Sequence, residues 1–103
     1  MESTYKILYS EEYNQELDSI YQYIAVQLKE ENIARRLVSK IRKEILRLRY
    51  FPKENKIILR NPERKLYRLI VKNYVIIYQI DIKIKIVYIL HIFNSKRNYI
   101  KLI

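Results

Sequence analysis

The 103-residue chain contains no glycine, no cysteine and no tryptophan, and only two prolines and one histidine. Each scarcity removes a class of function. Without cysteine there is no disulfide framework and no thiolate metal site, and a reducing compartment fits. A single histidine, His91, excludes a multi-histidine metal centre, so neither a metal nor a cofactor is expected. Without glycine neither a P-loop nor a dinucleotide-binding fingerprint can be built, because both bring bare backbone up to phosphate. Serine and cysteine nucleophile motifs are missing, and no pair of carboxylates marks a cleft. Charges interrupt every apolar run well short of the ~20 residues that a membrane-spanning helix needs. The opening MESTYKILY carries Glu2 and is only briefly apolar, unlike a signal peptide. A cytoplasmic protein with no membrane partner is expected. The length suits one domain over residues 1–103, with a core that needs no staples.

What the chain does have is positive charge: 21 Lys and Arg against 11 Asp and Glu, a formal net charge of +10. Such a field attracts nucleic acid or an acidic protein. The wealth of Ile, Lys, Asn and Tyr also fits AT-rich coding, under which the charge serves solubility alone. The second abundance is β-prone sequence in Lys65 to Ile92, KLYRLIVKNYVIIYQIDIKIKIVYILHI. Its three apolar runs predict an antiparallel meander. Lys72-Asn73 makes a two-residue hairpin turn, with Asn73 as the residue that tolerates positive φ. Asp81 to Lys83 makes the second break. The middle run, Tyr74 to Ile80, is apolar at nearly every position, which predicts a central strand buried on both faces.

Ahead of the meander, Tyr5 to Tyr9 reads as a short strand. Ser10 offers a helix cap, with Glu11 and Glu12 in the first turn where the helix dipole favours acids. A helix over about Glu11 to Lys29 places Leu17, Ile20, Tyr21, Ile24, Ala25 and Leu28 on one stripe. Asn32 caps a second helix over about Ile33 to Tyr50, whose apolar face is Ala34, Leu37, Val38, Ile41, Ile45 and Leu48. Its other side carries Arg35, Arg36, Lys40, Arg42, Lys43, Arg47 and Arg49. Pro52 ends it. A short strand at Ile57 to Leu59 and a turn at Asn61-Pro62 precede the meander. The fold class is α+β in the order β-α-α-β-β-β. An antiparallel helix hairpin packs on one face of a twisted, mainly antiparallel four-stranded sheet, with the first strand beside the last or the second.

Function is expected on the face that the helices leave open. The cations and phenols near it are Arg60, Arg64, Lys65, Arg68, His91, Lys96, Arg97 and Tyr99, with Lys101 further along the tail. Such a set suits cleavage of RNA by its own 2′-OH. Something must take the proton, something must stabilise charge on phosphorus, and something must protonate the leaving oxygen. His or Tyr serves the first and last roles and Arg or Lys the second. Simpler readings stand beside this one. Tyrosines that alternate with Ile or Leu pack in the core, His91 serves as a hydrogen-bonded structural residue, and the basic face of the second helix is solvated. Arg68 is the hardest to explain so, because a long cation in an apolar strand needs a partner or an open surface.

The opening YKILYSEEYNQELDSIYQYIA, the helix end LRYFP, and the stretches YRLIVKNYVIIYQID and IVYILHIF resemble the RelE/ParE superfamily. These are small basic toxins of type II toxin–antitoxin modules. The resemblance covers nearly the whole chain and implies the element order above. It implies a toxin that arrests growth and is neutralised by a cognate antitoxin. Arg68 matches an arginine in the strand before the NY step, and His91 matches the LH pattern near the end of the last strand of ParE-like members. Lys96 and Arg97 match basic residues that RelE-like ribonucleases use on the scissile phosphate, and Tyr99 lies near their tail tyrosine. Val75 departs from the pattern, standing where many of those enzymes carry a catalytic arginine. The resemblance therefore implies a ParE-like poison of DNA gyrase first. The alternative is a RelE-like, metal-independent endoribonuclease acting on ribosome-bound mRNA. For a ribonuclease, Arg68, His91, Arg97 and Tyr99 would be catalytic. Arg60, Arg64, Lys65, Lys96 and Lys101 would bind target or nucleic acid.

Overall fold

The computed structural model describes residues 4–60 and 64–103, so the Asn61-Pro62 turn lies outside the described residues. Strand β1 (Lys6–Tyr9) leads into helix α1 (Glu11–Gln22), which ends in a π-helical turn, Tyr23–Gln27. Helix α2 (Glu31–Leu46) ends in a 3₁₀ turn, Arg47–Arg49. Then come β2 (Lys56–Arg60), β3 (Lys65–Val71), β4 (Tyr74–Asp81), β5 (Ile86–Asn94) and a 3₁₀ turn, Tyr99–Leu102. The sheet order is β1-β5-β4-β3-β2, parallel between β1 and β5 and antiparallel elsewhere. The expected α+β layering holds, and β1 takes the place beside the last strand. The stretch at Ile57 to Leu59 joins the sheet as a fifth strand, at the edge beyond β3.

Ser10 caps α1 as expected, its Oγ accepting from Tyr13 N at 3.0 Å. The same hydroxyl donates to Leu90 O at 2.6 Å, which fixes the joint between β1 and α1 against β5. Helix α2 starts two residues earlier than its sequence suggests. Glu30, not Asn32, stands at the cap position, without a side-chain bond. The buried positions of α2, Ala34, Leu37, Ile41 and Ile45, are those of the expected stripe. The stripe of α1 begins one turn earlier, at Tyr13 (3% exposed), and loses Leu28, which is 50% exposed.

The turns also differ in detail. At the β3–β4 hairpin positive φ falls on Lys72 (54°), not on Asn73. The next turn runs over 82–85, because Asp81 Oδ1 accepts from Lys83 N (3.0 Å) and Ile84 N (3.2 Å) and holds the chain back, so β5 starts at Ile86. Among the described residues all three positive-φ positions, Lys29, Lys72 and Lys85, are lysines. A chain without glycine must accept the Cβ penalty there. Lys29 ends the first helix, and Glu30 N donates to Ile24 O at 3.0 Å beside it. Lys29→Gly is therefore expected to raise stability by about 0.5–1 kcal/mol, read from urea denaturation.

β4 lies at the centre of the sheet, and Val75, Ile76, Ile77 and Tyr78 are each at most 1% exposed. They alternate between two cores. Ile76 and Tyr78 join Tyr67, Leu69, Val87, Ile89 and Ile92 under the helices. Val75 and Ile77 join Leu66 and Phe93 on the opposite face. That second face is not left open, since Tyr99 and Ile103 of the tail pack against its cluster.

Candidate functional site

Strand register decides which candidates share a face. Arg68 pairs with Ile77, and Ile77 pairs with His91, so the three form one row across β3, β4 and β5. The neighbouring row on that face is Ile70, Val75 and Phe93. His91 reaches this face through a β-bulge: Tyr78 pairs with Ile89 and Ile77 with His91, leaving Leu90 as the extra residue. In an unbroken ladder His91 would oppose Ile76 and enter the helix-side core.

At the β3 end of the row, half-buried Arg68 donates from Nη1 to Tyr99 Oη at 3.2 Å. The tail is thereby held over the second core by a cation that an apolar strand must otherwise present to water. At the β5 end, His91 stacks on Phe93 with centroids 5.0 Å apart and planes 18° apart. The Arg97 guanidinium lies 5.5 Å from the Phe93 ring centre. His91 Nδ1 lies 3.0 and 3.2 Å from the two oxygens of Glu16 in α1, and Ile92 N donates to Glu16 Oε1 at 3.0 Å. A carboxylate only accepts, so Nδ1 carries the hydrogen and Nε2 is the nitrogen left to exchange a proton.

The structure thus brings Arg68 to Tyr99 and gathers His91, Phe93 and Arg97 in a column. It separates the rest. Arg60 pairs with Lys65 across β2 and β3, and these two with exposed Arg64 form a basic corner three residues along β3 from Arg68. Three residues of strand amount to ~10 Å. Lys96 is exposed at the turn after β5, where its backbone N donates to Asn94 Oδ1 at 2.9 Å, and Lys101 is exposed on the last 3₁₀ turn. Sequence reasoning missed Glu16. It falls three residues after Tyr13 and four before Ile20, inside the buried stripe of α1, and an acid in that spacing is the signal that could have found it. A cleft of about 420 Å³ runs along α1 from Glu16 to Tyr23, closed opposite by Tyr74, Phe93 and Arg97.

Two helices packed on one face of a mixed five-stranded sheet make this the fold of RelE/ParE-like toxins. The model of the family described as ParE toxin of type II toxin–antitoxin system, parDE, matches residues 7–99, and the chain belongs to that family. Among solved structures it is similar to a chain of the chromosomal ParDE system of P. aeruginosa, with a TM-score of 0.73 and 17% identity, covering 90% of this chain and 98% of that one. The archaeal RelE–RelB complex from Pyrococcus horikoshii OT3 gives 0.59 and 20%, covering 91% and 98%. The RelBE2 complex of Mycobacterium tuberculosis gives 0.62 and 15%, covering 88% and 98%. No curated protein sequence matches the chain. Among the described residues no helix is long and apolar enough to cross a membrane.

Proposed function

We propose that this member of the toxin family arrests growth by inhibiting DNA gyrase and is silenced by a cognate antitoxin. The observation that carries the gyrase reading is Val75. It is the second residue of β4, at the point where the resemblance puts a catalytic arginine in many of the ribonucleases, and it is 1% exposed in the second core. No charge arises at that point of the face to meet a scissile phosphate. Arg68 and Arg97 beside it are engaged by Tyr99 and Phe93. Purified gyrase tests the reading: supercoiling is inhibited and double-strand breaks accumulate as toxin is added, and unimpaired supercoiling at excess toxin removes it.

The Glu16–His91 pair favours a second reading, a metal-independent endoribonuclease on ribosome-bound mRNA. Under it His91 moves the proton, Arg68 and Arg97 meet the phosphate, and Tyr99 protonates or positions. Arg60, Arg64, Lys65, Lys96 and Lys101 bind the target. Primer extension after induction would then show translation-dependent cuts. Two similar structures are complexes with their antitoxins, which supports an antitoxin here. An acidic amphipathic segment would fit the basic sheet and tail, as an added strand or a helix in a groove. Under both readings Arg68→Ala and Arg97→Ala are expected to reduce growth inhibition about tenfold or more while the circular dichroism spectrum is unchanged. Full toxicity in both at equal expression would place the working surface elsewhere.

A further inference from the structure

We infer that the solvent face of α2 and the turn after it form a second binding surface, for unpaired nucleotides, apart from the sheet face. Arg36, Lys40, Lys43 and Arg47 recur at i, i+4, i+7 and i+11, a spacing that sets them in one row along the helix. They lie opposite the stripe Ala34, Leu37, Ile41 and Ile45 that is buried under the helix. The row is ~17 Å long at ~1.5 Å per residue. All four side chains are exposed. Arg47 shares its charge with Glu44, 3.3 Å away, so Arg36, Lys40 and Lys43 dominate the field.

A row of cations alone is an ordinary solvated helix face. The chain after α2 adds a second feature. In the 3₁₀ turn residues three apart stack, and Tyr50 N donates to Arg47 O at 3.1 Å, so Tyr50 continues the row. Tyr50 and Phe51 are 57% and 53% exposed, their centroids 6.3 Å apart, with the Arg49 guanidinium 5.9 Å from the Tyr50 ring centre. Their backbone is held in place, because Phe51 N bonds Arg47 O and the next carbonyl, Pro52 O, accepts from buried Tyr78. Two adjacent rings kept in water by a fixed backbone, at the end of a cationic track, are the elements of single-strand recognition: cations follow the phosphates and rings stack on bases. An acidic protein would use the cations but would gain less from the rings. The nearby carboxylates, Glu44 and Glu54, line a small hollow with Arg47 and Phe51 and limit the affinity.

Fluorescence anisotropy with the purified full chain tests this, using one labelled mixed-sequence 20-mer as RNA and as DNA, and the corresponding duplex. Both single strands are expected to bind more tightly than the duplex, and their relative affinities identify the sugar preferred. Lys40→Gln/Lys43→Gln should weaken single-strand binding about tenfold and reduce the slope of log K against log salt by about 1.4. Tyr50→Ala/Phe51→Ala should weaken it about tenfold with the slope unchanged. Lys83→Gln, an exposed lysine in the β4–β5 turn that belongs to neither surface, should change it less than twofold. Equal binding of duplex, no effect of the aromatic variant, or displacement of RNA by an equal charge of polyglutamate would each overturn the inference. Gyrase inhibition can fail or succeed independently of all of these outcomes.

Discussion

Replacing Tyr78 by alanine is expected to cost about 3–5 kcal/mol and to leave the chain largely unfolded near physiological temperature. Tyr78 has no exposed surface, lies in the central strand and stacks on Tyr67 with centroids 5.3 Å apart and planes 14° apart. Its hydroxyl donates to Pro52 O at 2.6 Å and accepts from Asn55 Nδ2 at 3.0 Å. One side chain therefore fills the helix-side core and ties the loop after α2 to the sheet. Tyr78→Phe separates these roles. It keeps the ring but leaves the buried Pro52 carbonyl without its donor, a loss of about 1–3 kcal/mol. Burial also pushes the Tyr78 phenol up to about 12 from an ordinary value of 10.0. A pKa raised on folding means that the native state keeps its proton where the unfolded state has lost it. Tyr78 thus contributes stability that is complete below pH 10 and is lost as pH rises toward 12. Burial raises the phenols of Tyr9, Tyr13 and Tyr74 as well, so alkaline unfolding should begin above pH 10. Tyr78→Phe should make the decline between pH 10 and 12 shallower, although the variant is less stable at pH 7. Urea midpoints taken across that range measure both effects. An equal decline in the two proteins would mean that the Tyr78 hydroxyl is hydrated.

Local patterns carried most of the architecture. The three-four spacing of Ala34, Leu37, Ile41 and Ile45 specifies the buried face of α2, and the unbroken run Val75 to Tyr78 specifies a strand with a core on each side. Ser10 before Glu11 and Glu12 marks the start of α1 for a reason that is local as well. What escaped was set by contacts far apart in sequence. The π-helical turn at Tyr23–Gln27 has no mark in a sequence whose apolar spacing continues through it. The edge place of β2 depends on pairing Lys56 with Arg68 and Arg60 with Lys65. Above all, the extra residue at Leu90 decides which face His91 joins. It is stabilised by Ser10, eighty positions away, through the bond from Ser10 Oγ to Leu90 O. Hydrophobic alternation cannot register an insertion of one residue whose cause lies in another element. The candidate cations were legible as a set because charge in β-prone sequence stands out. Their partners, Tyr99 for Arg68 and Glu16 for His91, were not.

Glu16→Ala is expected to have the second-largest effect, about 2–3 kcal/mol of stability, because one carboxylate holds two donors from another element. Past Tyr9 the β1 strand has ended, and α1 runs beside the edge of β5 in its place. Ile92 N–H would be an unpaired edge donor there without Glu16 Oε1 at 3.0 Å. His91 Nδ1, 3.0 Å from Oε2, would lose the group that sets its tautomer. Glu16→Gln is the informative companion. Its amide oxygen can still accept from Ile92 N–H, so most of the stability should return, but it cannot serve both donors as a carboxylate does. Nitrogen-15 shifts of the imidazole read the consequence directly: hydrogen on Nδ1 in the wild type, and a mixture dominated by Nε2–H in the glutamine variant. Toxicity then separates the two functional readings. If the protein works by occupying gyrase, Glu16→Gln keeps its potency to within about twofold, since the surface and fold persist. If His91 exchanges a proton with RNA, loss of the tautomer should reduce mRNA cleavage about 100-fold or more, in the range that general acid–base groups supply. A variant that is folded, shows the altered imidazole and remains fully toxic would reduce the Glu16–His91 pair to a structural clamp on the edge of β5.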